Sequence, residues 1–256
     1  MVCLASDFVS IHEIYRLEDT WNEPEKSEDD MALNIVREID GNVAVRNVLI
    51  SVSDKRGVDT LAKGLIASCD CIKIYSTGGT YALLRDVPGV AEHLVSVSDY
   101  TGQPEMQGGL VKTLDFKIYL GLLSETYNQA HQDDLVRTEA IAIDMVVVNL
   151  YPFSQTISVD GVTPEQARTN IDIGGPCMIR AAAKNYVRVA SVTDPADYDV
   201  VLAELASENG TISLARRFAL MQKAFAHTAA YDTAIAQYFA RVSESEVKNS
   251  YNIHSA

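Results

Sequence analysis

Short apolar runs recur from residue 47 onward and alternate with stretches of helical spacing. The runs are rich in Val and Ile, as is typical of strands buried on both faces of a sheet. Strands that alternate with helices predict an α/β fold, a parallel sheet with helices on both faces. The most apolar run, 143–150, is the predicted centre of the sheet. The predicted strands are 48–52, 72–75, 93–97, 143–150 and 187–192.

The intervening segments show helical spacing, and the stretch 98–113, with its glycines and a proline, predicts a long loop. Ligands of such sheets bind beyond the carboxyl ends of the strands, so we expect the chemistry in the turns that follow the strands. The predicted helices are 57–68, 81–84, 127–138, 176–185, 195–207 and 213–240.

Residues 1–46 differ from the rest of the chain. They hold eleven acidic and four basic residues, and 11 − 4 is half of the net charge of −14. This predicts an acidic N-terminal extension, within which 31–39 has the spacing of one short helix. We expect a catalytic or binding domain over 47–240 and a tail over 241–256.

The net charge of the 256-residue chain argues against broad binding to nucleic acid or to an anionic membrane. The N-terminus lacks the features of a secretory signal, and no apolar run is long enough to span a membrane. Four cysteines without metal-ligand spacing favour a reduced, cytoplasmic protein with no metal site. A local basic pocket for one small anion is compatible with this composition.

Two consecutive strand-to-helix turns carry hydroxyls, a lysine and glycines. The first is Ser51–Gly57 and the second is Ser76–Thr80. Glycine lets the backbone approach an oxyanion, and a helix N-terminus offers free N–H groups. The pair predicts a phosphate cradle, although Ser and Thr also serve as ordinary helix caps.

A second group of polar residues lies further along the chain: Lys112, Asn149, Tyr151, Asp172 and Lys184. Asp172 and Lys184 cannot face each other along one straight helix, since twelve residues rise about 18 Å. They would converge only if the chain bends at the diglycine between them or across a dimer interface. The alternative roles are a helix cap for Asp172, a helix-dipole partner for Lys184 and a core-edge aromatic for Tyr151.

Ten motifs in this order resemble the IMP cyclohydrolase domain of bifunctional purine-biosynthesis proteins. The resemblance covers residues 47 to about 240, most of the chain. The motifs are SVSDK (51–55), TGGT (77–80), VSDYTG (97–102), PEM (104–106), VKTL (111–114), VVNLYPF (147–153), NIDIGG (170–175), RAAAKN (180–185), DPADY (194–198) and AFAHTAAYD (224–232).

The resemblance implies a methylglyoxal-synthase-like fold, usually a homodimer, and the last step of inosinate synthesis. In that step the carboxamide nitrogen of 5-formamidoimidazole-4-carboxamide ribonucleotide (FAICAR) attacks the formyl carbon and water leaves, giving IMP. No cofactor or metal is implied. Because the sequence matches only the cyclohydrolase part, we expect a separate formyltransferase to supply the substrate.

The resemblance also implies roles for individual residues. Lys184 would donate and accept protons, Asp172 would orient the carboxamide, and Lys112 with Tyr151 would stabilise the hydrated intermediate. The remaining matches would hold the nucleotide, with Val148 and Asn149 at the base. These predicted binding residues are Ser53, Asp54, Lys55, Thr77, Gly78, Gly79, Thr80, Thr113, Val148, Asn149 and Ile173.

The chain departs from the family pattern around Lys112. Leu110 replaces an arginine, which removes a bidentate anion contact. Asp115 and Tyr119 replace histidines, and Phe116 replaces a proline. In the first turn Arg56 replaces a threonine, and we expect it to restore some positive charge near the phosphate.

Three other functions compete with the cyclohydrolase. A phosphate-sensing regulatory module, like the effector domain of carbamoyl-phosphate synthetase, needs the two turns but not Lys112, Tyr151, Asp172 and Lys184 together. A degenerate paralogue would bind a purine nucleotide without turnover, and the altered loop favours it slightly. Methylglyoxal synthase would need a catalytic carboxylate beside a triose phosphate, for which no motif is found.

Overall fold

The computed structural model describes residues 35–103 and 112–254. The chain divides into two compact units, Met1–Arg37 and Glu38–Ala256, and the second contains the sheet and the helices around it. Of the predicted helix 31–39, the first four residues lie outside the described part. The rest, 35–39, is not helical, so that prediction is wrong there. The role of 1–46 as an extension stays a prediction.

A five-stranded parallel sheet forms the centre of the second unit and confirms the predicted α/β class. Its spatial order is β4-β3-β2-β5-β6, so β2 is central and the expectation for 143–150 is wrong by one strand. The reason is that only one strand, β6, lies beyond β5, whereas three strands lie on its other side. The strands are β2 (Asn47–Val52), β3 (Lys73–Ser76), β4 (Leu94–Ser96), β5 (Met145–Asn149) and β6 (Ala190–Val192).

Helices cover both faces of the sheet. They include the predicted helices, with ends shifted by a few residues. The predicted loop 98–113 begins instead with a short helix, and its residues 104–111 lie outside the described part. The helices are α1 (Val58–Ser68), α2 (Gly78–Arg85), α3 (Val97–Thr101), α4 (Phe116–Leu123), α5 (Gln129–Arg137), α6 (Phe153–Ile157), α7 (Pro164–Thr169), α8 (Gly174–Lys184), α9 (Tyr198–Ser207), α10 (Leu214–Phe239) and α11 (Glu244–Asn249).

Strand β2 shows why the sheet needs cover on both sides. Val48 and Ile50 belong to one core with α1 and α9, whereas Leu49, between them, belongs to the other core with α4, α8 and α10. Successive side chains of a strand point to opposite faces of the sheet, so a run of consecutive apolar residues is stable only if both faces are covered. All three side chains are fully buried.

A two-stranded antiparallel pair joins β1 (Asn42–Ala44) to β7 (Thr211–Ser213). The guanidinium of the fully buried Arg217 lies next to it and donates to five backbone carbonyls. Burial lowers the pKa of this side chain. The acceptors belong to Asp40, Gly41, Tyr186, Val187 and Ile212.

Residues 35–103 and 112–254 contain neither a membrane-spanning helix nor a cluster of metal ligands. In that part of the chain no helix is both long and apolar enough to cross a membrane. No group of three or more His, Cys, Asp or Glu side chains there is placed to hold a metal ion.

Candidate functional site

A cavity of about 680 Å³ opens at the carboxyl ends of β2, β3 and β5. Its volume is in the range of small-molecule sites, about 300–1,000 Å³. The position agrees with the general rule for parallel sheets, because the ends of neighbouring strands meet at one edge. Its walls come from five segments, 51–55, 77–80, 112–114, 148–151 and 169–178. Within them only Asp54, Leu150, Pro176 and Cys177 do not line the cavity.

The first turn is held in shape by the amide of Asn149 at the end of β5. Its Oδ1 accepts from the backbone N–H groups of Ser53 (2.7 Å) and Asp54 (2.8 Å), and its Nδ2 donates to the Asp54 carbonyl (3.0 Å). Thr80 acts similarly from α2, since its hydroxyl accepts from the Val52 N–H and donates to the Val52 carbonyl. The turn is therefore fixed by two neighbouring segments.

The ammonium groups of two lysines lie next to the diglycine of the second turn. Gly78 has φ +52°, a left-handed conformation, and a Cβ on it would lie 2.9 Å from Lys112 Nζ. A Cβ on Gly79 would lie 3.9 Å from Lys55 Nζ. Both glycines line the cavity and open α2, and the first N–H groups of a helix have no acceptor within it. Lys55 beside a helix N-terminus suits an anion such as a phosphate group, and Lys112 places a second ammonium group next to this cradle.

Lys55 is tied to the turn as well as to the cavity. Its Nζ donates to the Val52 carbonyl at 2.8 Å, and burial lowers the pKa of this ammonium. A bound anion would favour its charged form and so oppose that effect of burial.

Asp172 lines the same cavity, just before α8. Its Oδ1 accepts from the Gly175 N–H at 2.9 Å, and its own N–H donates to the hydroxyl of Tyr231 at 2.8 Å. Burial raises the pKa of the Asp172 carboxyl, although hydrogen bonds from the Gly175 and Tyr151 backbones oppose the shift. The carboxylate is therefore less favoured at this site than at an exposed aspartate.

The diglycine 174–175 allows Thr113 and Asp172 to pack closely against the start of α8. A Cβ at Gly175 would lie 2.6 Å from Asp172 Oδ2, and one at Gly174 would lie 2.7 Å from the hydroxyl of Thr113. Larger residues at either position would displace the carboxylate or the threonine. At the mouth of the cavity, Tyr151 and Ile173 are more than half exposed.

The structure brings together all the predicted site residues except Asp54 and Lys184. Asp54 turns outward and forms an ion pair with Arg56, which lowers the pKa of the Asp54 carboxyl. Lys184 is exposed at the last position of α8, outside the cavity of its own chain. Arg56 is also not a lining residue, so its predicted effect on phosphate binding would act from a distance.

Two of the departures around Lys112 have structural roles. Asp115 caps α4, because its carboxylate accepts from the Lys117 N–H at 2.8 Å. Tyr119 packs beside the core and burial raises the pKa of its phenol. Phe116 is largely exposed. Leu110 lies outside the described residues.

Sequence reasoning missed several groups at the site. Leu114, Asn170 and Met178 line the cavity. Tyr231 contacts the backbone of the Asp172 segment from α10. The motif at 224–232 includes Tyr231, but its spacing gives no sign of a partner 59 residues away.

Fold and cavity together define an α/β domain with a cavity at the carboxyl ends of its sheet, lined by Lys55, Lys112 and a diglycine. Two family models match the chain: one described as AICARFT/IMPCHase bienzyme over residues 182–256, and one described as MGS-like domain over residues 57–177.

The bifunctional purine biosynthesis protein PurH of Enterococcus faecalis (strain ATCC 700802 / V583) is 50% identical over 204 residues, which are 78% of this chain and 38% of PurH. The chain thus spans well under half the length of this curated relative. A solved structure, that of ForH, matches with a TM-score of 0.67 at 35% identity and covers 76% of this chain and 97% of ForH. The chain belongs to the IMP cyclohydrolase-like family of MGS-fold domains, a domain family of purine biosynthesis.

Proposed function

We propose that this chain closes the pyrimidine ring of IMP from FAICAR. The observation that carries the proposal is that Lys112, Tyr151 and Asp172 line one cavity together with the cradle formed by Lys55 and the Gly78–Gly79 turn. A phosphate held at the cradle would direct the rest of the nucleotide toward the three side chains. The two reacting groups belong to one molecule, so holding them in a reactive geometry supplies much of the acceleration.

The reaction needs proton transfers but no redox step. A C–N bond forms between the carboxamide nitrogen and the formyl carbon, and one amide proton moves to the formyl oxygen. The C–O bond then breaks, and the departing hydroxyl takes a proton from the former formamido nitrogen and leaves as water. Lys112 and Tyr151 would stabilise the oxygen on which negative charge develops, and Asp172 would orient the carboxamide.

The test is direct turnover. Purified protein is mixed with FAICAR and IMP formation is followed by absorbance. We expect Lys112→Met and Asp172→Asn each to lower kcat/KM by about 100-fold. Lys73→Met is the matched control, because Lys73 begins β3 at the opposite edge of the sheet. Failure of the wild-type protein to form IMP, or equal losses in the Lys73 control, would contradict the proposal.

Lys184 fits this scheme if it reaches the cavity of a second copy. From Gly174 beside the cavity, α8 runs eleven residues, about 16 Å, before it presents the exposed Lys184. The neighbouring helix α10 has few charges on its exposed side, and Arg180 stacks on its Phe225 at 5.6 Å. A weakly charged face beside Lys184 supports a homodimer in which each copy completes the other's site.

Mixing two inactive variants tests this arrangement. In a heterodimer of Lys184→Ala with Asp172→Asn, one site would combine an intact Asp172 with the lysine of the other copy. Random reassortment makes about half of the dimers heterodimers, each with one complete site of two, so we expect about a quarter of the wild-type activity to return after the two variants are unfolded and refolded together. No recovery, or a monomer at assay concentration, would refute the shared site.

A nucleotide-binding paralogue without turnover is the second candidate. It is favoured by the position of Lys184 outside the cavity of its own chain. Calorimetry that detects IMP binding, together with no IMP formation by wild-type protein, would support it.

A cytoplasmic location and a separate formyltransferase that supplies FAICAR are part of the main proposal.

A further inference from the structure

Tyr231 reaches the Asp172 segment from the middle of α10. Its side chain is 9% exposed. Its hydroxyl accepts from the Asp172 N–H at 2.8 Å and donates toward the Asn170 carbonyl at 3.4 Å. One hydroxyl thus satisfies a donor and an acceptor on either side of Ile171, in a segment that has neither helix nor strand.

The Asp172 segment is held from two sides. On one side the carboxylate accepts from the Gly175 N–H at the start of α8. On the other side Tyr231 binds the backbone, and its ring is fixed edge-on against Phe153, with centroids 6.2 Å apart. Burial raises the pKa of the Tyr231 phenol, so the hydroxyl keeps the proton that it donates.

We infer that Tyr231 is the positioning residue for Asp172: its hydroxyl sets the backbone from which this carboxylate projects into the cavity. Tyr231 does not line the cavity and touches no substrate in this scheme. The inference rests on the proposed cyclisation only in assigning Asp172 a part in the reaction. The placement of the segment by Tyr231 can be tested without turnover.

Tyr238 offers a matched comparison on the same helix. It lies two turns after Tyr231, and its ring also packs edge-on against Phe153, at 6.0 Å. Its hydroxyl, however, is directed at the Val162 carbonyl, 3.5 Å away and ahead of α7. Replacing either tyrosine by phenylalanine therefore removes one hydroxyl oxygen from the same aromatic cluster. Of the two hydroxyls, only that of Tyr231 contacts Asp172.

The kinetic test compares Tyr231→Phe with Tyr238→Phe. We expect Y231F to lower kcat about tenfold while KM changes less than twofold, because the phosphate cradle stays intact. Y238F should leave both constants within twofold of wild type. In an Asp172→Asn background, Y231F should have no further effect on kcat, since residues that act through one another are not additive. Equal effects of the two Phe variants, or additivity with D172N, would overturn the inference.

Hydrogen exchange separates this inference from the proposed function. We expect Y231F to increase amide exchange at least fivefold in the peptide that covers 170–175, and Y238F to leave that peptide unchanged. Thermal unfolding of both variants checks that neither has lost its fold. If wild-type protein forms no IMP, the cyclisation fails, but the exchange result still decides whether Tyr231 places Asp172. Unchanged exchange in a folded Y231F protein would refute the placement.

Discussion

The amide of Asn149 uses three hydrogen bonds to hold the turn after β2. The sequence resemblance predicts a contact of Asn149 with the base of the nucleotide. A residue that is 9% exposed and engaged with Ser53 and Asp54 is better placed to fix the shape of the turn. Residue type and position in the chain identify the site, but the partner of the amide depends on the pairing of β2 with β5, which brings residue 149 beside residue 52.

Replacing Asn149 by Ala should weaken nucleotide binding. Two backbone N–H groups would lose their acceptor, and the turn beside Lys55 would loosen. At about 1–3 kcal/mol for lost buried partners, we expect the Kd for IMP to rise by about 5- to 150-fold. Titration calorimetry measures this, with the exposed Asn252→Ala as control. An unchanged Kd in the Asn149 variant would show that the turn does not need the amide.

Among the elements, those with a strong local signal are predicted well. The runs that form β2, β3 and β5 and the turns after them carry their own patterns. Among the elements that the sequence does not predict, the strands β1 and β7 have three residues each and form because they pair with each other. That pairing joins residues about 170 positions apart, so no local pattern indicates it. The sequence also does not predict the short helix α3, which begins directly after β4, because the glycines that follow favour a loop.

Arg217 provides a test of how α10 is anchored to the β1 region. Arg217→Met would leave several buried carbonyls without a donor, and we expect the free energy of unfolding to fall by about 2–4 kcal/mol. Its neighbour Arg216 is the control, because it forms a partly exposed ion pair with Glu204. Arg216→Met should cost no more than about 1 kcal/mol.

Urea denaturation of both variants gives the comparison. Similar losses for the two arginines would show that the carbonyls around Arg217 find other donors, and that the β1–β7 pair does not depend on this side chain.

At the scale of the whole molecule, the C-terminal segment packs on the helix that leads into the site. The hydroxyl of Tyr251 donates to Glu165 of α7, and Arg168 forms an ion pair with the same carboxylate. These partners lower the pKa of Glu165 to about 2, from an ordinary value of 4.5. A carboxyl with a lowered pKa stabilises the folded state above its unfolded pKa, and this contribution is lost as the pH falls toward 2.

We therefore expect acid to loosen the C-terminal segment before the sheet unfolds. Between about pH 4.5 and 2.5, peptic cleavage after α11, measured relative to an unfolded reference substrate at each pH, should become faster in the wild-type protein. The Glu165→Gln variant has no carboxylate to protonate at this position. The cleavage rate of the variant should therefore already be high at the upper end of this pH range and change little as the pH falls. A wild-type rate that does not depend on pH in this window would contradict the assigned role of Glu165.

The relation between Lys184 and the cavity is the part of the site that the sequence does not determine. The rise of an α-helix predicts that Asp172 and Lys184 separate, and the structure places only Asp172 in the cavity. Whether a second copy supplies the lysine depends on surfaces between molecules, which spacing along one chain does not encode.

The ammonium groups over Gly78 and Gly79 form a small positive region in a molecule with a net charge of −14. A nucleotide would be repelled at long range and attracted only within about 8–10 Å, the Debye length at physiological salt. Dissolved ions screen the distant repulsion first. The association rate constant for IMP should thus increase with ionic strength from about 10 to 100 mM, opposite to the usual behaviour of electrostatically steered ligands. Stopped-flow mixing would reveal this kinetic barrier, and a rate that falls with salt would show that local attraction governs capture.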